Sequence, residues 1–211
     1  MTRTDARGHR RDDVRAARRA QLLDDAIEAI RELGAGATME QLARRGGVTK
    51  PILYRHFHDR DGLITAIADR FSAQLLEEIQ AALRDSDAPE ELVYRTIDAY
   101  LGFIEREPAL YRFILQQVAS RNSAALQISP LIDAIAREVA LVIGEQLRAV
   151  GADSGGAVPW AYGIVGMVHQ AGDWWLDDRT LPRSGLTTYL ANLLWGGLGA
   201  AAGPTDGNAT P

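Results

Sequence analysis

Apolar residues recur at helical spacing along most of this chain, and proline and glycine break the pattern at short intervals. The first run comprises Leu22, Leu23, Ala26, Ile27, Ile30 and Leu33. Gly34 follows it at the place of a helix C-cap. Pro89, Pro108 and Pro130 each stand where a later helix would begin, because the first turn of a helix tolerates proline. No segment shows the sustained alternation of a β-strand, so the sequence predicts an all-α fold of about nine helices.

Caps and breakers place the first four helices. The first is expected over about residues 15–33. Thr38 and Gln41 can form a capping box for a short second helix that ends at Gly46. Thr49 is the expected N-cap of a third helix, and Asp59 that of a fourth, which runs to about residue 84. Further helices are expected over about 89–106, from 108, and over about 130–150, 157–178 and 185–202.

The composition excludes several classes of protein. The chain has 211 residues, of which 46% are hydrophobic, so it can bury a sizeable core. It has no cysteine, which excludes disulfides, thiolate catalysis and cysteine-ligated metals. No uncharged apolar run is long enough to span a bilayer, and the polar N-terminus lacks the apolar segment of a secretory signal. We expect a cytoplasmic protein with no catalytic residues, cofactor, metal site or membrane partner.

Charge is distributed unevenly along the chain. Residues 1–60 hold 13 Lys and Arg against 9 Asp and Glu, a net +4, whereas the remainder holds 10 against 19, a net −9; together they give the overall −5. A basic end on an acidic chain is typical of nucleic-acid binding. The alternative is a solvated arm, because most of the excess lies in the first 19 residues.

Residues 15–57 fit a helix-turn-helix, in which two short helices flank the Gly46-Gly47 turn. In that motif the second helix enters the major groove of DNA. Its outward side chains here are candidates to donate to phosphates or base edges: Lys50, Tyr54, Arg55 and His56. Pro51 or Ile52 could contact a thymine methyl, whereas Leu53 and Phe57 belong to the core. The alternative is a solvated surface helix.

The run TMEQLARRGGVTKPILYRHFHDRDGLITAI resembles the N-terminal signature of TetR-family transcriptional regulators, T-x-x-x-I-A-x-x-A-G-V-S-x-x-x-L-Y-x-H-F-x-x-K-x-x-L. The matching residues are Thr38, Leu42, Ala43, Gly47, Val48, Thr49, Leu53, Tyr54, His56, Phe57, Arg60 and Leu63. Three positions depart mildly from the signature: Gly46 replaces Ala, Thr49 replaces Ser and Arg60 replaces Lys. None of the departures removes a cap, a core position or a cation.

The resemblance implies roles for residues on both sides of the turn. Thr38 should meet backbone phosphates, and Tyr54 and His56 match positions that grip phosphates. Arg60 matches a phosphate-binding cation at a helix N-terminus. The entering end of the recognition helix would be Thr49, Lys50, Pro51 and Ile52, and the role of Arg55 is open because that position varies in the family. Further contacts to the phosphates or the minor groove could come from Arg15, Arg18 and Arg19.

The family is also expected to bind a small hydrophobic or aromatic effector among helices four to eight. Apolar candidates to line that pocket are Phe71, Leu75, Tyr100, Phe103, Ile104, Phe113, Ile114, Met167 and Trp174. Polar candidates to orient the effector are Gln117, His169, Gln170 and Asp173. The alternatives are that the apolar residues form an ordinary core and that the polar groups satisfy one another or cross a dimer interface.

The last two helices are expected to form a homodimer interface, as in the family. Small residues allow helices to approach closely, and large aromatics anchor an interface. The candidates are Trp160, Gly163, Gly166, Trp175, Leu190, Leu194 and Trp195. Two recognition helices held about 34 to 36 Å apart would read a palindromic operator in double-stranded DNA.

Four regions are therefore expected: a disordered basic arm over 1–14, a DNA-binding domain over 15–60, a ligand-binding and dimerisation domain over 61–202, and a disordered tail over 203–211. The predicted function is a ligand-responsive transcriptional regulator, a repressor that a hydrophobic effector releases from its operator. The alternatives are a ligand-independent dimeric DNA-binding protein and an all-α enzyme.

Overall fold

A computed structural model of the chain describes residues 3–84, 88–119 and 130–201, with side chains described over 12–84, 88–117 and 132–197. Within these ranges the chain forms α-helices and one short 3-10 turn, and no strand. The all-α prediction is therefore confirmed. None of the helices in the described part of the chain combines the length and the apolar character that crossing a bilayer requires.

The described residues form nine α-helices, whose bounds agree closely with the predicted ones except at the start of α1. They are α1 Arg3–Leu33, α2 Met39–Arg45, α3 Lys50–Phe57, α4 Arg60–Arg84, α5 Pro89–Arg106, α6 Pro108–Ala119, α7 Pro130–Ala149, α8 Ala157–Asp178 and α9 Arg183–Ala201. The 3-10 turn, Ser154–Gly156, directly precedes α8.

The start of α1 corrects one expectation. A disordered arm was predicted over residues 1–14, but the structure continues α1 back to Arg3. Its only apolar residues, Met1, Ala6 and Val14, are too few to give a periodic signal, yet the segment contains no proline and has four arginines, which favour helix. The predicted tail over 203–211 lies outside the described residues.

Side-chain caps fix where the short helices begin. The backbone N–H of Gln41 donates to Thr38 Oγ1 at 3.4 Å, and that of Thr38 donates to Gln41 Oε1 at 2.7 Å, so the predicted capping box is present. Asp59 caps α4 by accepting from the backbone N–H of Gly62 at 2.7 Å. Thr49 occupies the N-cap position of α3, but its side chain makes no capping hydrogen bond.

The chain divides into two compact units, and the first comprises residues 1–72 and 107–124. It is larger than the predicted DNA-binding domain because α6 and the first half of α4 belong to it. The Phe71 ring of α4 lies 6.4 Å from that of Tyr111 on α6. The guanidinium of Arg31 on α1 donates to both carboxylate oxygens of Glu107, at 2.9 and 2.6 Å, just before α6 begins.

The second unit comprises residues 73–106 and 125–211. In it α5 packs on α9, and α7 packs on α8. Its core includes Ile97, Leu101 and Ala161, each less than 5% exposed. Arg183 links α9 to α5, because it donates to Asp98 at 2.9 Å and to Glu105 at 3.1 Å.

Gly62, in the first turn of α4, lies so close to the backbone of Phe57 that no residue with a Cβ atom would fit there. A Cβ atom built at this position would lie 1.9 Å from the carbonyl oxygen of Phe57. We therefore expect Gly62→Ala to lower the free energy of unfolding by about 1 to 3 kcal/mol, because the backbone must shift. Gly36→Ala is the control, since no described atom lies within 4 Å of a Cβ there. Urea denaturation measures both, and equal midpoints for the two variants would contradict this packing.

Candidate nucleic-acid interface and effector region

A tight turn joins α2 to α3. Gly47 has φ of +67°, a left-handed conformation that favours glycine. The backbone N–H of Val48 donates to the Ala43 carbonyl at 3.0 Å, which closes the turn. Arg18 of α1 donates to the Gly46 carbonyl at 3.0 Å and so braces the turn from the neighbouring helix. Two short helices are thereby held in a fixed helix-turn-helix geometry.

The α3 helix has one buried side and one accessible side. Leu53 is 0% exposed and Phe57 3% exposed, so both belong to the core as predicted. The opposite positions carry Pro51 and Arg55, which are exposed, and Lys50, Ile52, Tyr54 and His56, which are partly exposed. This helix therefore presents the side chains that the sequence assigned to DNA.

Lys50, at the start of α3, forms an ion pair with Glu40 of α2. Its Nζ lies 2.8 Å from Glu40 Oε1 and 5.8 Å from the centre of the Tyr54 ring. The hydrogen bond from Lys50 lowers the pKa of the Glu40 carboxyl, and the same bond raises the pKa of Lys50. Both side chains are therefore charged at neutral pH and neutralise each other on this surface.

The predicted arginines of α1 serve different roles. Arg15 is exposed, whereas Arg18 is partly buried and donates to the turn. The Arg19 guanidinium lies 4.7 Å from the centre of the Phe57 ring, in cation–π contact with the core of α3. Arg18 and Arg19 thus have structural contacts that the sequence did not indicate.

Arg60 and Gln117 were assigned to different sites, but the structure brings them together. The Arg60 guanidinium at the start of α4 donates to the side-chain oxygen of Gln117 on α6. Both belong to the first unit. Thr38 is exposed, and its hydroxyl is engaged with Gln41 in the cap. Thr49 is exposed at the N-cap of α3.

His56 lies among cationic side chains. Its Nδ1 is buried and has no hydrogen-bond partner among the described residues. Burial lowers the pKa of His56, and the charges of Arg55, Arg15, Arg18 and Arg19 lower it further. The imidazole is therefore neutral at pH 7. A cavity of about 300 Å³ beside it belongs to the first unit and is lined by Arg19, His56, Phe57, His58, Gly62, Thr65, Ala66 and Asp69.

Two residues of this surface escaped the sequence analysis. Glu40 lies beside Lys50, and a carboxylate is not an expected DNA contact. Arg44 is exposed on the last turn of α2, near the turn that leads to the recognition helix. Its outward position in the signature, two residues after Leu42, was the signal that could have identified it.

The predicted effector residues fall in both units. Phe71, Phe113, Ile114 and Gln117 belong to the first. The second contains Leu75, Tyr100, Phe103, Ile104, Met167, His169, Gln170, Asp173 and Trp174. Gln170 is exposed and Trp174 is 46% exposed, so neither is enclosed by the described chain.

Tyr100 and His169 form a polar pair inside the second unit. The Tyr100 hydroxyl and His169 Nδ1 are 3.0 Å apart, joining α5 to α8. A Cβ at Gly172, one turn further along α8, would lie 3.1 Å from the Tyr100 ring and 3.0 Å from Ile104. Burial lowers the pKa of His169, and the charge of Asp173 partly opposes that shift. This pair is a neutral hydrogen-bonding group among apolar helices.

The structure corrects two of the predicted interface residues. Trp175 is 1% exposed and its indole N–H donates to the Leu181 carbonyl at 2.7 Å, and Leu190 is 8% exposed. Both are core residues of the second unit, because the packing of the chain itself already covers them. Trp195 is 38% exposed, Gly163 and Gly166 are exposed, and Trp160 and Leu194 are half-buried.

Family models match both parts of the chain. Residues 22–67 match the model described as "Bacterial regulatory proteins, tetR family". Residues 78–210 match "Tetracyclin repressor-like, C-terminal domain".

Individual relatives are similar over nearly the whole chain. The uncharacterized HTH-type transcriptional regulator Rv0472c of Mycobacterium tuberculosis is 35% identical over 197 residues, which cover 93% of this chain and 83% of that protein. The HTH-type transcriptional activator FasR of Mycolicibacterium smegmatis is 29% identical over 198 residues, covering 92% and 89%. The structure of FadR from Bacillus subtilis in complex with stearoyl-CoA matches with a TM-score of 0.65 at 18% identity, covering 83% of this chain and 96% of that one.

Fold, turn and recognition helix together define a helix-turn-helix DNA-binding regulator. The chain belongs to the TetR family of transcriptional regulators, as the signature around the turn indicated.

His56 makes the stability of the protein sensitive to acid. Its pKa is lowered on folding, so acidification through about pH 6.5 protonates the imidazole in the unfolded chain first. The stability associated with His56 is complete above that pH and is lost as the pH falls towards the folded pKa. We expect His56→Gln to lose less stability than the wild type between about pH 7.5 and 5.5.

The matched control is His58→Asn, because His58 is exposed and asparagine tolerates its φ of 74°. Urea denaturation at each pH gives the comparison. Parallel pH profiles for His56→Gln and the wild type would contradict this environment for His56.

Proposed function

We propose that the protein is a ligand-responsive repressor that binds a palindromic operator as a homodimer and leaves it when a hydrophobic effector binds. The observation that carries the DNA-binding part is the orientation of α3. Leu53 and Phe57 are buried, so the opposite face of the helix is available to the major groove. Such a regulator acts on the genome, in the cytoplasm of a bacterial cell.

The proposed DNA contacts divide by chemistry. Base edges would be met from α3, where exposed Arg55 can donate to guanine and Pro51 or Ile52 can contact a thymine methyl. Tyr54 and Lys50 flank that surface. Phosphates would be met by Arg15, Arg19, Thr38, Arg44, Thr49, His56 and Arg60. The neutral His56 would donate one N–H rather than a full charge.

The proposed dimer uses the outer faces of α8 and α9. On α9, Tyr189 and Leu193 are 64% and 63% exposed, and Trp195 lies on the same helix. A Cβ at Gly163 or Gly166 of α8 would meet no described atom within 4 Å, so another helix can approach there. Large exposed apolar side chains on α9 and open glycine positions on α8 favour helix association over solvation.

The proposed effector contains a long acyl chain. The Tyr100–His169 pair offers one hydrogen-bonding group surrounded by apolar side chains, the arrangement that orients an otherwise hydrophobic ligand. FadR of Bacillus subtilis has a similar fold, and its crystal structure is of the complex with stearoyl-CoA. The relative FasR is named an activator, whereas a repressor is proposed for this chain.

DNA recognition is tested on duplexes selected from a random-sequence library with the purified full chain. Arg55→Ala should lose about 1 to 3 kcal/mol on the selected duplex and relax the preference at one base pair. Arg15→Ala should weaken binding to all duplexes alike and lower the salt slope by about one. Fluorescence anisotropy at several salt concentrations measures both variants.

The control is Arg95→Ala, because Arg95 lies in the second unit and bonds to Glu91 on its own helix. It should bind as the wild type does. Failure of the library to yield an enriched sequence would refute the DNA-binding role.

Sedimentation of the complex should show an even number of chains on each palindrome, and one chain per site would refute the dimer.

Effector binding is tested with stearoyl-CoA added to the complex of protein and selected duplex. We expect release of the DNA, since the ligand shifts the equilibrium towards the state that binds it better, by a coupling of about 1 to 3 kcal/mol. Coenzyme A without the acyl chain is the control and should release none. His169→Leu should reduce the response to stearoyl-CoA without changing DNA affinity in its absence. Equal release by both compounds would contradict an acyl-chain effector.

A further inference from the structure

Glu40 places a negative charge on a surface that must approach a polyanion. Its carboxylate lies in the first turn of α2, and its side chain is 60% exposed. Its partner Lys50 is in the first turn of α3, with 40% of the side chain exposed. A carboxylate this close to the recognition helix opposes phosphates, so it costs affinity for DNA of any sequence unless its partner compensates.

The 2.8 Å ion pair determines how Lys50 can meet DNA. An ammonium has three N–H donors, so it can stay bonded to Glu40 while it donates to the acceptors N7 and O6 of a guanine. To bind a phosphate instead, it would have to leave Glu40, whose unpaired carboxylate would then face the DNA backbone. Breaking the ion pair therefore weakens non-specific binding, which uses phosphates, more than it weakens specific binding, which uses base edges.

Resting on the DNA-binding function proposed above, we infer that Glu40 is a specificity-determining residue of the DNA interface. Its carboxylate positions the Lys50 ammonium to donate to a base edge, and it disfavours contacts between Lys50 and the phosphates of unrelated sequences. Specific recognition of this kind combines attraction to the correct partner with repulsion of the wrong ones. Tyr54, whose ring centre lies 5.8 Å from Lys50 Nζ, supports the same position of the ammonium.

The inference is tested by comparing two duplexes of equal length, the selected sequence and a scrambled version. Glu40→Gln frees Lys50 for a phosphate contact, so the salt slope on scrambled DNA should steepen by about 0.9. At 0.15 M salt that corresponds to about fivefold tighter binding of the scrambled duplex. Affinity for the selected duplex should change by less than about twofold, so the ratio of the two affinities falls.

Three further variants separate the ion pair from charge and folding. Glu40→Asp keeps the charge but is one methylene too short for the contact, and it should lower the ratio in the same direction. In a Lys50→Met background, Glu40→Gln should no longer steepen the slope. Asp24→Asn removes an equal charge from the pair with Arg70 in the same unit, and it should leave the ratio unchanged. Glu40 is exposed and Lys50 partly exposed, and an ion pair at the surface contributes little to stability, so the unfolding midpoints should match the wild type.

Equal tightening on both duplexes would overturn the inference, because Glu40 would then act only as a uniform repulsive charge. An unchanged ratio for Glu40→Gln would overturn it as well. These outcomes differ from failure of the proposed function, in which the wild-type chain enriches no duplex at all.

Discussion

Burial of Leu53 and Phe57 is the constraint on which the DNA-binding surface depends. Four residues apart, these two side chains lie on one face of α3 and are almost completely excluded from solvent. Rotating the helix would expose both, at a cost of about 1.5 to 3 kcal/mol for each side chain. The hydrophobic effect therefore decides which side chains of α3 point outward, and the functional face follows from the core.

Polar contacts then refine that surface. Arg18 holds the turn through the Gly46 carbonyl, Arg19 lies over the Phe57 ring, and Lys50 bonds to Glu40. Several cations that a charge count would assign to DNA are thus already engaged within the protein. The 13 Lys and Arg of residues 1–60 therefore overstate the number of cations free to meet phosphates, because several are already engaged by other groups of the protein.

Within the first unit, α6 is tied to the helices that carry the DNA-binding residues. Arg31 forms a two-point ion pair with Glu107, and Arg60 donates to Gln117. Both contacts join residues far apart in sequence to the two ends of one helix. If α6 moved, these contacts would either break or move Arg31 and Arg60 with it. The two contacts therefore couple α6 directly to α1 and to the start of α4.

The sequence by itself determined the helices and the recognition motif. Helical periodicity, the Thr38–Gln41 capping box and the Asp59 cap are local features, set by residues within one or two turns of each other. The core roles of Leu53 and Phe57 follow from the same short-range spacing, and the outward residues of α3 follow from them. The predicted start of α1 was too late, because the first residues of the helix carry too few apolar side chains to give a periodic signal.

Only the tertiary structure decided which side chains meet across helices. Arg60 and Gln117 are 57 positions apart, and no local pattern relates them. The burial of Trp175 depends on the loop that brings the Leu181 carbonyl to its indole, and a tryptophan on an apolar helix suits a core and an interface equally well. The Glu40–Lys50 pair depends on the angle between α2 and α3. Such distances are set by how the helices pack, and therefore by the whole chain.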